Sequence, residues 1–455
     1  MFFLLVSSPT TTCTDRARYE LDRQRVNYLG ICTHLADARC HADISRSYNR
    51  RMSSMEDVII IGGGPVGFIN ALGLAQAGVR VSVIEAEPHI INSPRAAVYF
   101  WSVLGGLGRL GMLEEAEAAG VRKQDYTYLV RSTGERIVYS MEILKGHTPR
   151  PYNLHLGQHR IAEIAMRRLK TFSNATVRFG TRLQKLHQDA DGVTLSVVTE
   201  HDTEELRARW VIGADGAGST VRRLLGLSFD GITWPERFVA TNVYYDFERY
   251  GYARATFVID DRFGAVIAIL NNEGLWRCTY MEDATLPEET FLERLPHAYE
   301  AILPGQGYYE LERASPYSMH QRSAQRYRVG RVVLAGDAAH VTNPTGGLGL
   351  TSGLFDSFAL YPALTAIVLE GADEEVLDRY STARRDAFVN RASPQATANK
   401  QLIYHANGGG RKLEEALAGL RRLATDPDFL WQRLMFTKSL ETPPLLGASR
   451  PGFAA

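Results

Sequence analysis

The sequence predicts an α/β fold in which a parallel sheet carries a glycine turn, a mixed β-sheet is inserted into it, and helices close the C-terminal side. Three observations predict it: a strand, glycine turn, helix and strand in succession from Asp57; two later strands that run straight into Asp-Gly and Gly-Asp turns; and an alternating apolar-polar stretch between those two strands.

Residues 1–54 are arginine-rich, with Asp15, Glu20, Asp22, Asp37 and Asp43 among the arginines and no sustained apolar period. They are expected to form a disordered extension, with Met52 and Met55 just ahead of the first convincing strand. From Asp57 the pattern is regular. Residues 58–61 are a short β-branched run, residues 62–67 a glycine turn, residues 68–77 a helix ended by Gly78, and residues 79–84 a second buried strand. Two strands joined by a helix should be parallel with a right-handed crossover. Further strands are expected at residues 208–212 and 331–334. Between them, residues 238–245, 256–259, 265–270 and 276–281 alternate as a sheet with one wet face would. After Gly349 the chain turns helical, with a break at Gly408, Gly409 and Gly410. The expected domains are a nucleotide-binding part at 55–233, an inserted sheet domain at 234–320, the second nucleotide-binding part with a long helix at 321–400, and C-terminal helices and tail at 401–455.

The composition narrows the function. Lys plus Arg equals Asp plus Glu at 51 each, so the net charge is zero and no nucleic-acid partner is expected. The 4 cysteines, Cys13, Cys32, Cys40 and Cys278, form no C-x-x-C pair. Neither a disulfide framework nor a metal site is expected, and a reducing, cytoplasmic setting fits. No stretch has about eighteen uninterrupted apolar residues, so no membrane span is expected.

Gly62-Gly63-Gly64-Pro65-Val66-Gly67 satisfies G-x-G-x-x-G directly after a strand and at the opening of a helix. The glycines permit a tight turn and close backbone approach to a pyrophosphate, while the helix N-terminus offers amide donors and a partial positive charge. Glu85 ends the next strand, where a carboxylate accepts both hydroxyls of an adenosine ribose and repels a 2′-phosphate. This site therefore suits FAD or NAD rather than NADP.

Two more segments bear on that choice. Val211-Ile212-Gly213-Ala214-Asp215-Gly216 is a strand entering an Asp-Gly turn. Val332-Val333-Leu334-Ala335-Gly336-Asp337 is a strand entering a Gly-Asp turn, followed by Asn343-Pro344-Thr345-Gly346-Gly347-Leu348-Gly349. With these motifs the chain, over about residues 57–400, resembles the single-component flavoprotein aromatic hydroxylases, the family of para-hydroxybenzoate hydroxylase and phenol hydroxylase. The resemblance implies a Rossmann-like FAD-binding domain, with Asp337 on the ribityl chain, Gly336 in its turn, and Asp215 and Gly216 where flavin and nicotinamide sites meet. It also implies that Pro344, Gly346, Gly347, Leu348, Gly349 and Leu350 line the isoalloxazine, with Pro344, Thr345 and Gly346 beside the reacting C4a atom. Arg95 matches an arginine near the pyrophosphate and Gln158 a glutamine that contacts FAD from a helix start. Two departures stand out: Asn343-Pro344 replaces a Pro-Pro pair, and Thr351 stands where asparagine is frequent.

The reaction so implied uses NADH or NADPH and O₂ to hydroxylate a phenol-like or polycyclic aromatic substrate through a flavin C4a-hydroperoxide. An epoxidase or dehydrogenase on the same scaffold, and a flavin-binding regulatory protein without turnover, are the alternatives; a homodimer is left open. No Trp-x-Trp pair occurs, which disfavours a halogenase. Tyr244, Tyr245, Trp276 and Tyr280 are candidates for substrate contact from the inserted sheet, set against ordinary sheet packing. His340 reads as structural, and no general base is evident.

Overall fold

The computed structural model describes residues 55–94, 96–405 and 410–446. The expected N-terminal extension, Arg95, and Gly408 and Gly409 of the expected helix break lie outside them.

The first sheet has five parallel strands in the order Val332–Leu334, Thr203–Gly213, Glu56–Ile61, Val81–Ile84 and Ala175–Arg178. Its central strands are continuously apolar because helices and a second layer cover both faces; Val58, Ile59 and Ile60 have no exposed surface. The hairpin Arg182–Gln188 and Val193–Val198 joins Thr203–Gly213 antiparallel. The helix Pro65–Gln76 follows the glycine turn. The helix Leu348–Glu370 is long and apolar enough to cross a membrane, yet Leu354, Leu360 and Leu364 are wholly buried against this sheet's core. Its composition is that of a core helix.

The second sheet has eight strands: His340–Val341, Glu310–Ala324, Phe229–Tyr244, Leu275–Asp283, Ala265–Ile269, Ala255–Ile259, Asp125–Val130 and Arg136–Ser140. It is mixed, since Ala255–Ile259 runs parallel to Asp125–Val130 while the remaining pairs are antiparallel. Two of its strands thus precede the alternating stretch from which the sheet was expected.

The expectation of a wet face is corrected as well. Phe238, Val239, Ala240 and Thr241 are all buried, so consecutive residues facing opposite ways are both covered. On one face lies the helix Phe291–Ile302, with Tyr299 hydrogen-bonded to Thr241. On the other lie the helices Ser393–Tyr404, Gly410–Thr425 and Pro427–Met435, with Tyr404 packed 5.2 Å from Phe238 and Leu417, Leu420 and Leu434 against Tyr126 and Tyr128.

A buried ionic knot joins these parts. The Asp356 carboxylate, on the long helix, accepts the Gly336 N–H at 2.9 Å, lies 2.7 Å from His340 Nε2 and accepts Arg384 Nε at 2.7 Å. Arg384 spends its other nitrogens on the Leu440 and Ser352 carbonyls. His340 has no exposed surface and also stacks on Phe388 at 4.3 Å. Burial alone would raise the Asp356 pKa, but His340 and Arg384 outweigh it and hold the carboxyl below its usual value. A carboxyl depressed in the folded state contributes stability above its unfolded pKa of about 4 and loses it as pH falls through the folded value. Chemical denaturation should therefore show this contribution intact from neutral pH down to about 4 and falling below that. Arg384→Leu, which strands Asp356 without its cation, should cost about 3–5 kcal/mol in the same measurement.

Candidate active site

Parallel register brings the three motif turns to one edge. Ile61 pairs with Gly213 and Gly213 with Leu334, so all three strands end level. Gly62 adopts φ 111°, and a Cβ there would strike the Ala214 carbonyl, so glycine is required for the first turn to lie against the second. The third turn and the long helix close on the first through Val66. A Cβ on Gly336 or on Gly353 would each sit 2.9 Å from Val66 Cγ2, and the one on Gly353 also 3.1 Å from Gly336 Cα. Backbones approach here because side chains are absent.

The helix Pro65–Gln76 begins at Gly64 with proline in its first turn and no side-chain cap, so its leading amides have no protein acceptor. A Cβ on Gly64 would meet nothing within 4 Å, which leaves the approach to those amides open. Gly67 closes onto the Gly62 carbonyl, which tightens the turn. Glu85 is beside it: its carboxylate accepts Gly63 N–H at 2.5 Å and Glu87 N–H at 2.8 Å. Asp215 builds its own turn by accepting Ser219 Oγ–H at 2.5 Å, Thr220 N–H at 2.6 Å and Val221 N–H at 3.1 Å. Burial pushes the Asp215 carboxyl up despite these bonds. Gly216 follows at φ 76°. Asp337 stands exposed at the tip of the turn Gly336–Ala338. Gln158 opens the helix Gln158–Leu169, its N–H bonded to the Ala96 carbonyl at 3.2 Å.

In the loop after the third strand Asn343 and Thr345 are buried, at 0% and 1% exposure, while Thr342, Pro344, Gly346 and Gly347 are half-buried. It runs into the helix Leu348–Glu370, whose N-cap, Gly347, sits at φ 67° and offers no side-chain cap. The amides of Leu348, Gly349 and Leu350 thus point out of a helix start whose dipole favours negative charge. A Cβ on Gly346 would collide with Asn399. Thr351 bonds back to the Gly347 carbonyl at 2.9 Å, so the residue that departs from the family pattern serves the loop's own geometry. Thr342 Oγ1 and Thr345 Oγ1 are buried without a partner. Two uncapped helix starts, an open glycine approach and orphaned hydroxyls are what a bound dinucleotide with a polar ring edge would satisfy, so these residues fit FAD. Among the described residues no His, Cys, Asp and Glu cluster could hold a metal ion.

The four aromatic candidates do not gather at this loop. Tyr245, Trp276 and Tyr280 face the helix Phe291–Ile302 in a closed cluster with Val239, Val243 and Tyr299, and Tyr245 is hydrogen-bonded to the Pro304 carbonyl. Tyr244, at the strand end, has the opposite parity and is half-buried. Phe238, Asn242, Arg277 and Tyr317 share that opposite face, where Phe238 and Tyr317 pack with Tyr404 of the helix Ser393–Tyr404. Arg277 is 8% exposed, its Nε bonded to Asn242 Oδ1 at 2.9 Å, and burial pushes its guanidinium down to about 10 against the pull of Tyr317 and Glu312. Of the four candidates only Tyr244 shares the Arg277 face, and sequence reading did not single out Arg277. The signal was an arginine alternating with apolar residues in a strand buried on both sides.

Comparison with known proteins agrees with this geometry. The FAD binding domain family matches residues 55–393. The chain is 43% identical over 392 residues to 6-hydroxy-3-succinoylpyridine 3-monooxygenase of Pseudomonas putida (strain DSM 28022 / S16), spanning 86% of this chain and 100% of that protein. It is 41% identical over 393 residues to para-nitrophenol 4-monooxygenase of Pseudomonas sp. (strain WBC-3), spanning 86% and 97%. The crystal structure of p-nitrophenol 4-monooxygenase from Pseudomonas putida DLL-E4 superposes with a TM-score of 0.82 at 40% identity, over 85% of this chain and 98% of that one. An aklavinone-11 hydroxylase in complex with FAD and aklavinone superposes with a TM-score of 0.69 at 26% identity, over 78% and 70%.

Gly353→Val should force Val66 and the Gly336 turn away from the long helix at an overpacking cost of about 1–3 kcal/mol. Flavin fluorescence titration should show FAD affinity falling by at least about tenfold. Unchanged affinity would mean that these three segments need not interlock.

Proposed function

The chain belongs to the FAD-binding-domain family of flavin-dependent aromatic hydroxylases, and from that membership we propose that its substrate is a small, hydroxylated six-membered aromatic ring with a polar substituent opposite the hydroxyl. The observation that carries the hydroxylase reading is the convergence of the glycine turn, the Asp-Gly turn and the Gly-Asp turn at one sheet edge, with the helix that follows the 343–347 loop packed on them through Gly353. The substrate class is supported by two relatives matched over nearly their whole length. One name specifies oxygenation at position 4 of para-nitrophenol and the other at position 3 of a 6-hydroxypyridine. In both, the position lies across the ring from the hydroxyl and already bears a substituent. Both relatives are monooxygenases, so neither a dehydrogenase nor a regulatory protein is favoured.

FAD, when bound, takes electrons from NAD(P)H and activates O₂ for transfer to the ring. The chain's own residues supply position and dryness. We assign adenosine recognition to Glu85, pyrophosphate binding to the open amides after Gly64, ribityl contact to Asp337, and the flavin edge to the helix start at Leu348. Pro344, Thr345 and Gly346 form the floor on which the ring is presented, with Thr345 buried and Pro344 and Gly346 half-buried, so the ring itself would complete the exclusion of water. Arg277, fixed by Asn242 on the sheet face turned toward the helix Ser393–Tyr404, binds the anionic or electron-withdrawing substituent; a buried guanidinium is strongly attractive to such a group. We place this activity in the cytoplasm.

A panel of para-substituted phenols and hydroxypyridines, scored by the acceleration of anaerobic flavin reduction and by product analysis, tests the reading. Para-nitro, para-acyl and para-carboxy phenols should stimulate reduction and be converted, whereas phenols with an apolar para group should not. Conversion of bulky polycyclic phenols alone would overturn it. In Arg277→Met, losing a charge-assisted bond of about 1.5–3 kcal/mol should raise KM by about 10–100-fold, with a smaller change in kcat.

A further inference from the structure

Asn343 stands where the family pattern has the first of two prolines, and its side chain is fully buried. Its Oδ1 accepts Thr345 N–H at 3.1 Å, and its Nδ2 donates to Gln321 Oε1 at 3.1 Å. Gln321 Oε1 also accepts from Trp234 Nε1 at 3.2 Å. An indole nitrogen only donates, so this bond fixes which end of the Gln321 amide faces Asn343, and that in turn fixes Asn343 Oδ1 toward Thr345. The Lys400 ammonium lies 4.1 Å over the Trp234 ring and is itself bound to Glu236 at 3.0 Å, which holds the indole in place.

The other end of Gln321 reaches the helix Ser393–Tyr404, with Nε2 at 2.8 Å from the Ser393 carbonyl and 2.7 Å from both Ser393 Oγ and Thr397 Oγ1. The same helix returns to the loop through Asn399, whose Nδ2 donates to the Thr345 carbonyl at 3.4 Å. Asn399 is held by Gln395 at 2.9 Å and Arg433 at 3.0 Å. Both polar backbone groups of Thr345 are therefore gripped by side-chain amides, one anchored in the second sheet and one in the C-terminal helices.

We propose that Gln321 is a positioning residue which, through Asn343, sets the height of Pro344-Thr345-Gly346 against the flavin ring and keeps the second sheet in register with it. This rests on the reading of that loop as the flavin floor. A proline pair would stiffen such a loop through its own backbone; here the stiffness comes from a hydrogen-bonded clamp to the elements that carry Arg277 and Asn399. The consequence concerns coupling. A loop free to shift leaves flavin bound and reducible but misplaces it against the substrate, so electrons from NAD(P)H are lost to H₂O₂ instead of hydroxylating the ring.

Gln321→Leu and Asn343→Ala, each in the FAD-loaded full chain, test the clamp by thermal midpoint, visible circular dichroism of the bound flavin, and moles of product per mole of NAD(P)H consumed. Gln321→Leu should keep FAD, alter the flavin dichroism, and lower the product ratio at least about twofold while KM changes less. Asn343→Ala should do the same, and the double variant should add little, because both act through one bond. If Gln321→Leu does not fold, Gln321→Glu, which keeps size and the acceptor for Trp234 and Asn343 but loses donors to Ser393 and Thr397, should show the same changes in weaker form. Wild-type dichroism and coupling in the folded variants overturn the proposal. The dichroism needs no substrate, so it decides the clamp even if every ring tried with the wild type goes unconverted; that second result would sink the substrate reading instead.

Discussion

The site depends on one constraint: three strands distant in sequence must end level, and the backbones beyond them must approach more closely than side chains allow. Parallel pairing of Ile61, Gly213 and Leu334 sets the level. The missing Cβ atoms at Gly62, Gly336 and Gly353 set the approach, with Val66 as the one side chain received between two of them. A methyl group at any of these points would meet a carbonyl, a Cα or a branched side chain that the sheet core behind it cannot release. The helix starts at Gly64 and Gly347 both carry uncapped amides, and their positive ends would suit phosphate at the one and a reduced flavin at the other.

The second sheet is coupled to this frame by polar bonds buried between the layers. Asp356 holds the Gly336 turn from behind and ties it, through Arg384, to the chain near Leu440. Gln321, through Asn343, and Asn399 hold the 343–347 loop. The Gly336 turn and the 343–347 loop are thus held by different side chains, Asp356 for the one and Asn343 and Asn399 for the other. Such a division suits an enzyme that must bind its cofactor permanently yet align a succession of substrates against it.

Much of this was legible in the sequence because local chemistry dictated it. A β-branched run followed by Gly62-Gly63-Gly64-Pro65 leaves few alternatives to a strand, a tight turn and a helix, and the turns at Asp215 and Asp337 follow from the same grammar. What failed was information carried by the third dimension. Residues 125–140 read as nothing in particular, yet they supply two strands to the second sheet, because a strand's partners are set by tertiary pairing and not by its own composition. Tyr245, Trp276 and Tyr280 were attractive as aromatic residues, but alternation cannot tell which helix covers each face of a doubly covered sheet, and these three pack on the helix Phe291–Ile302. Asn343 was read as a departure from a family pattern. Its role emerged only when Gln321, Trp234 and Thr345 were seen to surround it.

The central claim is that both halves of one FAD are held, the adenosine half by Glu85 and the glycine turn, the flavin half by Asp337 and the 343–347 loop. Titration of the flavin-free protein with FAD and with FMN, followed by flavin fluorescence, tests it most directly. The account predicts one FAD per chain and FMN at least about 100-fold weaker, since FMN forgoes the charge-assisted bonds of the adenosine half. Equal binding of the two flavins, or no uptake of either, would contradict it.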